Sequence, residues 1–136
     1  MTSYRKELAA STRAVSRVVA WAEKAARRHP DLSQPTVNAL LVCIQELVSN
    51  VALHAQHSEG SPTIKLALLI CANRVGVNME DNGQPFDPTI ASACKIETDL
   101  ASADLGGRGL RIVRHMARKM TYHRAGQWNC IRLDII

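Results

Sequence analysis

Apolar residues recur through the second quarter of the chain at intervals of three and four: Val37, Leu40, Leu41, Ile44, Leu47, Val48 and Val51. That period predicts a buried amphipathic helix. Ser33 can cap its start, with Pro35 in the first turn, and the pattern carries it to about Ala55. An earlier helix is predicted from an N-cap at Ser11 or Thr12 to about Arg28, where His29-Pro30-Asp31 ends it. Residues 4–9 read as a short edge strand. After a loop from Gln56 to Pro62, Thr63 to Ala72 is rich in Ile and Leu and reads as a strand. Asn73-Arg74 is a turn, and Val75 to Glu80 is the returning strand of a hairpin. Asp81 to Pro85 has turn composition. Residues 87–105 are weakly patterned, a loop with a short helix. Gly106-Gly107-Arg108-Gly109 leads into a helix reaching about Ala117. Met120 to Ala125 and Trp128 to Ile136 form a last hairpin around Gly126-Gln127.

The resulting order, β-α-α-β-β-loop-α-β-β, predicts the α+β class: a mainly antiparallel sheet with helices packed on one face. There is no repeat, low-complexity tract or linker, so residues 1–136 are expected to be a single domain.

Composition refines this picture. Hydrophobic residues make up 46% of the chain, but there are only one Phe, two Tyr and two Trp, so the core must be aliphatic. Leu66 to Ala72 is the longest clear apolar run, too short for a membrane span. Met-Thr-Ser-Tyr-Arg-Lys lacks the apolar region of a signal peptide, so no membrane association and a cytoplasmic location are expected. Cys43, Cys71, Cys94 and Cys130 contain no C-x-x-C pair, which excludes zinc-ribbon and thioredoxin-type readings and predicts buried free thiols.

The net charge of +5 is unevenly spread. Residues 1–36 hold seven basic and three acidic groups, residues 37–105 three and eight, and residues 106–136 seven and one. A basic chain raises the question of nucleic acid. Arg108, Arg111, Arg114, Arg118 and Lys119 alternate with apolar residues, however, as on a solvated helix face. No nucleic-acid-reading motif or stacking aromatics accompany them.

Three segments carry candidate chemistry. In the first, Glu46, Asn50 and His54 are spaced i, i+4, i+8 and share one strip of the long apolar helix. A carboxylate and an amide are costly to bury there without partners. In the second, Asp81-Asn82-Gly83-Gln84-Pro85-Phe86 puts an acceptor-only carboxylate at a strand end, suited to an exocyclic amine. Gly83 beside it lets a flat ring approach the backbone. In the third, the glycines before the last helix expose N–H groups at a helix N-terminus, which suits phosphate. No Gly-Lys-Ser/Thr follows, so this is not a Walker A loop, and Ile112 stands where G-x-G-x-x-G needs its last glycine. Each segment has an ordinary reading as well: a solvated helix face, a hairpin turn, a flexible linker.

Together and in this order, the three resemble the boxes of the GHKL ATPases: gyrase-type, chaperone-type and histidine-kinase ATP-binding domains. Glu46-x-x-x-Asn50 is similar to that family's N box, Asp81-x-Gly83-x-Pro85-Phe86 to its first glycine box, and Gly107-x-Gly109-Leu110 to its second. The resemblance covers nearly the whole chain. Glu46-Leu-Val-Ser-Asn-Val-Ala-Leu-His-Ala, Asp87-Pro88 and Gly-Gly-Arg-Gly-Leu-Arg-Ile-Val-Arg further resemble the anti-sigma-factor serine kinases of bacterial partner-switching systems.

The resemblance implies roles. Glu46 is the general base, and Asn50 a ligand of Mg²⁺ as well as of ATP. Asp81 holds the adenine amine, with Gly83 and Phe86 in the base pocket. Gly107, Arg108, Gly109 and Leu110 surround the phosphates, and residues Asp87 to Gly109 form a lid over them. His54 matches the family and is equally read as a helix-end hydrogen bond. It also implies the partners: a STAS-type anti-anti-sigma protein as substrate, a sigma factor or other regulator as captive, and a second copy in a homodimer. For the homodimer the sequence adds a helix face of Val15, Val18, Val19 and Ala22. One departure stands out: members often have Thr on the last hairpin, where this chain has Asn129 and Cys130.

The expected function is therefore an ATP-dependent protein-serine kinase that sequesters a regulator. The alternative is a non-catalytic anti-sigma or adaptor module that keeps ATP as a structural ligand; Glu46 favours the kinase, because a binder needs no base. A detached histidine-kinase catalytic domain is disfavoured, since no phospho-accepting His helix precedes the domain, and nucleic-acid binding comes last.

Overall fold

The structure, a computed structural model, describes residues 1–54, 60–91 and 107–136. Strand β1 (Thr2–Ala9) is followed by helices α1 (Thr12–Ala26) and α2 (Gln34–His54), then by strands β2 (Thr63–Cys71) and β3 (Arg74–Asp81). The short helix α3 (Pro88–Ala91), helix α4 (Gly107–Met116) and strands β4 (Lys119–Ala125) and β5 (Trp128–Asp134) complete it. Most of the predicted lid between Asp87 and Gly109 falls outside the described residues, as do Ala55, Cys94 and Gly106.

Local chemistry places the ends. Ser11 is the N-cap of α1, its Oγ accepting from the Ala14 N–H at 3.1 Å. Helix α1 stops at Ala26 rather than Arg28, because the N–H groups of Arg28 and His29 reach back only three residues, to Ala25 and Ala26. Ser33 Oγ accepts from the Thr36 N–H at 3.2 Å at the start of α2. Asp87 Oδ1 accepts from the Thr89 N–H at 2.9 Å, capping α3, with Pro88 in the first helical position. The first hairpin turns at Ala72-Asn73, one residue earlier than its composition suggests, because Cys71 and Arg74 already pair.

The five strands are all antiparallel, in the order β1-β2-β3-β5-β4. Period-two alternation sends Ile64, Leu66, Leu68 and Ile70 of β2, Val75, Val77 and Met79 of β3 and Ile131 and Leu133 of β5 into one core. Helix α2 meets them with Leu40, Ile44, Leu47, Val48 and Val51, α1 with Val18, Ala22 and Ala25, and α4 with Leu110 and Val113. The opposite sheet face is polar: Lys65, Glu80 and Arg132 are exposed, and Lys65 Nζ lies 4.3 Å from the centroid of the Trp128 ring. The α+β architecture with helices on one face is as expected.

Three expectations change. Helix α2 is apolar over Gln34–Leu53, long enough by length and composition to cross a bilayer, so Leu66 to Ala72 is not the longest apolar stretch. Here its apolar face is the centre of the core. Val18 and Ala22, half of the helix face offered for a dimer, are fully buried in that core and cannot also serve an interface. Of the cysteines, Cys43 is buried, but Cys71 and Cys130 are half-buried, because they fall at strand positions away from the helices.

Candidate functional site

The site lies where α2, the end of β3 and the last hairpin converge. Leu47, Asn50 and Val51 of α2, Met79 and Asp81 of β3, Phe86 and Pro88 of the following turn, and Tyr122, Asn129 and Ile131 of the hairpin line one cleft. Most of this lining is aliphatic or aromatic, with a few polar atoms among it, the composition of a small-molecule pocket.

Asp81 ends β3 and is buried. Its Oδ1 accepts from the Gly83 N–H at 3.0 Å, so the Asp81-Asn82-Gly83 segment is an Asx turn, not a hairpin. Asn129 Nδ2 donates to the same oxygen at 3.0 Å. Among the described residues Oδ2 accepts no hydrogen bond. Burial raises the Asp81 carboxyl above the ordinary carboxylate range, with the Asn129 and Gly83 hydrogen bonds and the Arg124 charge opposing that shift. Asn82 keeps the sheet end closed, its Oδ1 accepting from the Thr63 N–H at 2.6 Å.

On α2, Asn50 is buried and its Oδ1 is a buried side-chain oxygen without a hydrogen-bond partner. An orphaned acceptor of this kind costs about 1–3 kcal/mol. One turn earlier, Glu46 is half-buried, and its carboxylate accepts no hydrogen bond among the described residues. It lies against the backbone of Gly109 in α4. Cys43, a further turn back, has its thiol pushed up to about 12 by burial and by the nearby Glu46 charge, which makes it inert.

The structure thus brings Asn50, Asp81 and Phe86 to one cleft, with Gly83 buried behind Asp81, and sets Glu46 against Gly109. Leu110 is 1% exposed, a core residue of α4, so only its backbone is available to a ligand. Gly107 is the first residue of α4, Arg108 follows it, and His54 is the last residue of α2. Besides the apolar walls Leu47, Val51, Met79, Pro88 and Ile131, two polar residues were not anticipated. Tyr122 lines the cleft, and its hydroxyl donates to Asn129 Oδ1 at 2.6 Å; burial pushes that hydroxyl up. Arg124 donates to the Gly83 carbonyl at 2.9 Å. Their only sequence signal is the period-two alternation Met120, Tyr122, Arg124 on β4, all three half-buried.

The residues present fit magnesium and ATP. Among the described residues no cluster of His, Cys, Asp or Glu could hold a metal by itself. A single amide oxygen without a protein partner suits a magnesium ion that takes its other ligands from phosphates and water. The apolar walls suit a flat base, and Asp81 Oδ2 suits its amine.

The α+β layer thus holds a cleft between helices and sheet, with an orphaned amide on the central helix and a buried aspartate in a turn at the end of a core strand. Residues 8–135 match the histidine kinase-like ATPase domain family, and the chain belongs to it. The serine/threonine-protein kinase BtrW of Bordetella bronchiseptica is 33% identical over 94 residues, a stretch covering 69% of this chain and 66% of that protein. A crystal structure of the RsbU and RsbW domains of Rv1364c from Mycobacterium tuberculosis shares the fold. Its TM-score is 0.69 at 14% identity, over 98% of this chain and 32% of the other. The chain therefore spans about a third of that second protein. The chain is thus similar in sequence to a serine/threonine-protein kinase and in fold to the second structure.

Proposed function

We propose that this protein is an ATP-dependent protein-serine kinase of a bacterial partner-switching system. In this reading it phosphorylates a serine of a STAS-type antagonist and sequesters a sigma factor or other regulator. The observation that carries it is the pair on α2. Asn50 Oδ1 is buried without a partner, and one turn away the Glu46 carboxylate accepts no hydrogen bond among the described residues. A fold gains nothing from leaving the buried Asn50 oxygen unanswered, which supports a ligand there, and the half-exposed Glu46 carboxylate one turn away stays open to solvent and to a substrate. The similarity to a serine/threonine kinase supports the same reading.

The roles follow from position. Asp81 accepts from the adenine amine, and the walls formed by Leu47, Met79 and Ile131 exclude water from the ring. Asn50 would hold Mg²⁺, which when bound screens the phosphate charge and fixes its geometry. The first turn of α4, at Gly107 to Gly109, presents N–H groups to phosphate. Glu46 takes the proton of the acceptor serine hydroxyl as its oxygen forms the new bond to phosphorus and ADP leaves. A homodimer in the cytoplasm completes the proposal; sedimentation at tens of micromolar tests the dimer, and a monomer there would remove it.

The test is to incubate the chain with ATP, Mg²⁺ and a STAS-type antagonist and analyse the antagonist by mass spectrometry. One serine should gain a phosphate in the presence of the wild-type chain and not with Glu46→Ala. An antagonist that stays unmodified while ATP binds would leave a non-catalytic nucleotide-binding adaptor.

A further inference from the structure

Asn129 is 5% exposed and pairs directly with Asp81 across the β3–β5 ladder. Its amide is saturated by the protein. Nδ2 donates to Asp81 Oδ1 at 3.0 Å and to the Gln84 carbonyl at 2.8 Å. Oδ1 accepts from the Tyr122 hydroxyl at 2.6 Å and from the Phe86 N–H at 3.3 Å. The amide cannot be turned over. The flipped group would set its oxygen against the Asp81 oxygen and the Gln84 carbonyl, and its NH₂ against the Phe86 N–H.

A side chain so fully used has nothing left to offer a ligand. Its effect must pass through Asp81, one of whose oxygens it ties into the fold together with the Gly83 N–H. We propose that Asn129 is a positioning residue that sets nucleobase specificity: by holding Asp81 Oδ1 inside the fold, it leaves Oδ2 as the single carboxylate acceptor for the base. One acceptor matches adenine, which presents one exocyclic amine beside a ring acceptor. Guanine presents two neighbouring donors, N1–H and the N2 amine, and is matched by a carboxylate free to offer both oxygens. Tyr122, gripping Asn129 from β4, belongs to the same device. This inference rests on the nucleotide-binding reading above and adds the origin of its selectivity.

Calorimetric titration of the full chain with Mg·ATP and with Mg·GTP tests it. The wild type should prefer ATP. Asn129→Ala should narrow the ATP-over-GTP preference by about tenfold or more, the scale of one hydrogen bond to a charged group. Asn129→Thr, which keeps a hydroxyl donor, should retain most of the preference. Tyr122→Phe should narrow it in the same direction but less, and it decides the matter if circular dichroism shows the alanine variant unfolded. A merely structural role would weaken both nucleotides equally and leave their ratio alone. A ratio within twofold of wild type in Asn129→Ala, or in Tyr122→Phe where the alanine variant does not fold, overturns the proposal while the ATP reading stands. A wild type that binds neither nucleotide overturns both.

Discussion

The Glu46 carboxylate fills the space beside Gly109 that any side chain there would need. A Cβ on Gly109 would overlap Glu46 Oε2 and stand 3.1 Å from its Cδ. The glycine at this position is therefore required by the carboxylate opposite it on α2.

Gly109→Ala should leave the fold intact, because the atom it strikes is the tip of a side chain that can swing away. It should also displace that tip from its working position. Phosphoryl transfer should fall by roughly 10²–10⁴-fold, the usual contribution of a general base. Glu46→Ala should lose a similar factor with ATP affinity retained. The double variant should lose little beyond either single one, because both remove the same function. Single-turnover transfer assays on the three variants check this; additive losses would separate the two residues.

Asn50→Leu separates function from stability. It replaces an orphaned buried amide by an apolar group of similar volume, which removes an unsatisfied acceptor worth about 1–3 kcal/mol. The nucleotide-free variant should melt at or above the wild-type temperature, while Mg²⁺ no longer strengthens its ATP binding. Thermal melts with calorimetry read both. A lower melting temperature together with intact magnesium dependence would assign Asn50 to the fold.

Asp81 makes a pH prediction of definite sign. Its folded carboxyl titrates above the unfolded value, chiefly through burial. Such a group favours the folded state fully below the unfolded pKa, and that contribution is lost as pH rises through the folded pKa. The ionised carboxylate of the free protein is thus held at a stability cost at neutral pH. Asp81→Asn should raise the melting temperature relative to wild type at pH 7, with the gain vanishing at pH below the unfolded range. ATP affinity should be lower in this variant at neutral pH, and should fall in the wild type as acid protonates Asp81, closing the gap. Paired melts from pH 3 to pH 8 check the first part; a variant advantage that grows with acidity would reverse the assignment.

Gly126 turns the hairpin that delivers Tyr122 and Asn129, with φ at +60°. Gly126→Ala should destabilise by about 1–2 kcal/mol, since that backbone region strains residues with a Cβ. Gly126→Asn should be nearly neutral. Beyond the neighbours in the chain, a Cβ added there would meet no heavy atom within 4 Å, so chemical denaturation of the two variants reads backbone strain alone.

Much of this was legible in one dimension. The three-and-four spacing from Val37 to Val51 dictated α2, because only a helix gathers those residues on one side. The Ile- and Leu-rich run from Thr63 to Ala72 announced a strand. Ser11 and Ser33 announced helix starts because their hydroxyls satisfy N–H groups only a few residues away. Glu46, Asn50, Asp81, Gly83 and Gly109 were legible as candidates because turn, cap and strip chemistry are local.

What the tertiary structure decided was pairing between distant segments. Nothing near Asp81 in sequence foretells that Asn129, 48 residues on, shares its ladder position and fixes its carboxylate. Tyr122 entered the site through the register of β4 on β5, which a single-residue slip would reverse. Val18 and Ala22 offered an apolar face to any partner, and only the placement of α1 against the core showed what they bury. Local propensity and periodicity set each element, since those forces act within a turn or two. The carboxylate held by a distant amide, and the glycine shaped by a distant carboxylate, depend on which elements meet, and packing of the whole core decides that.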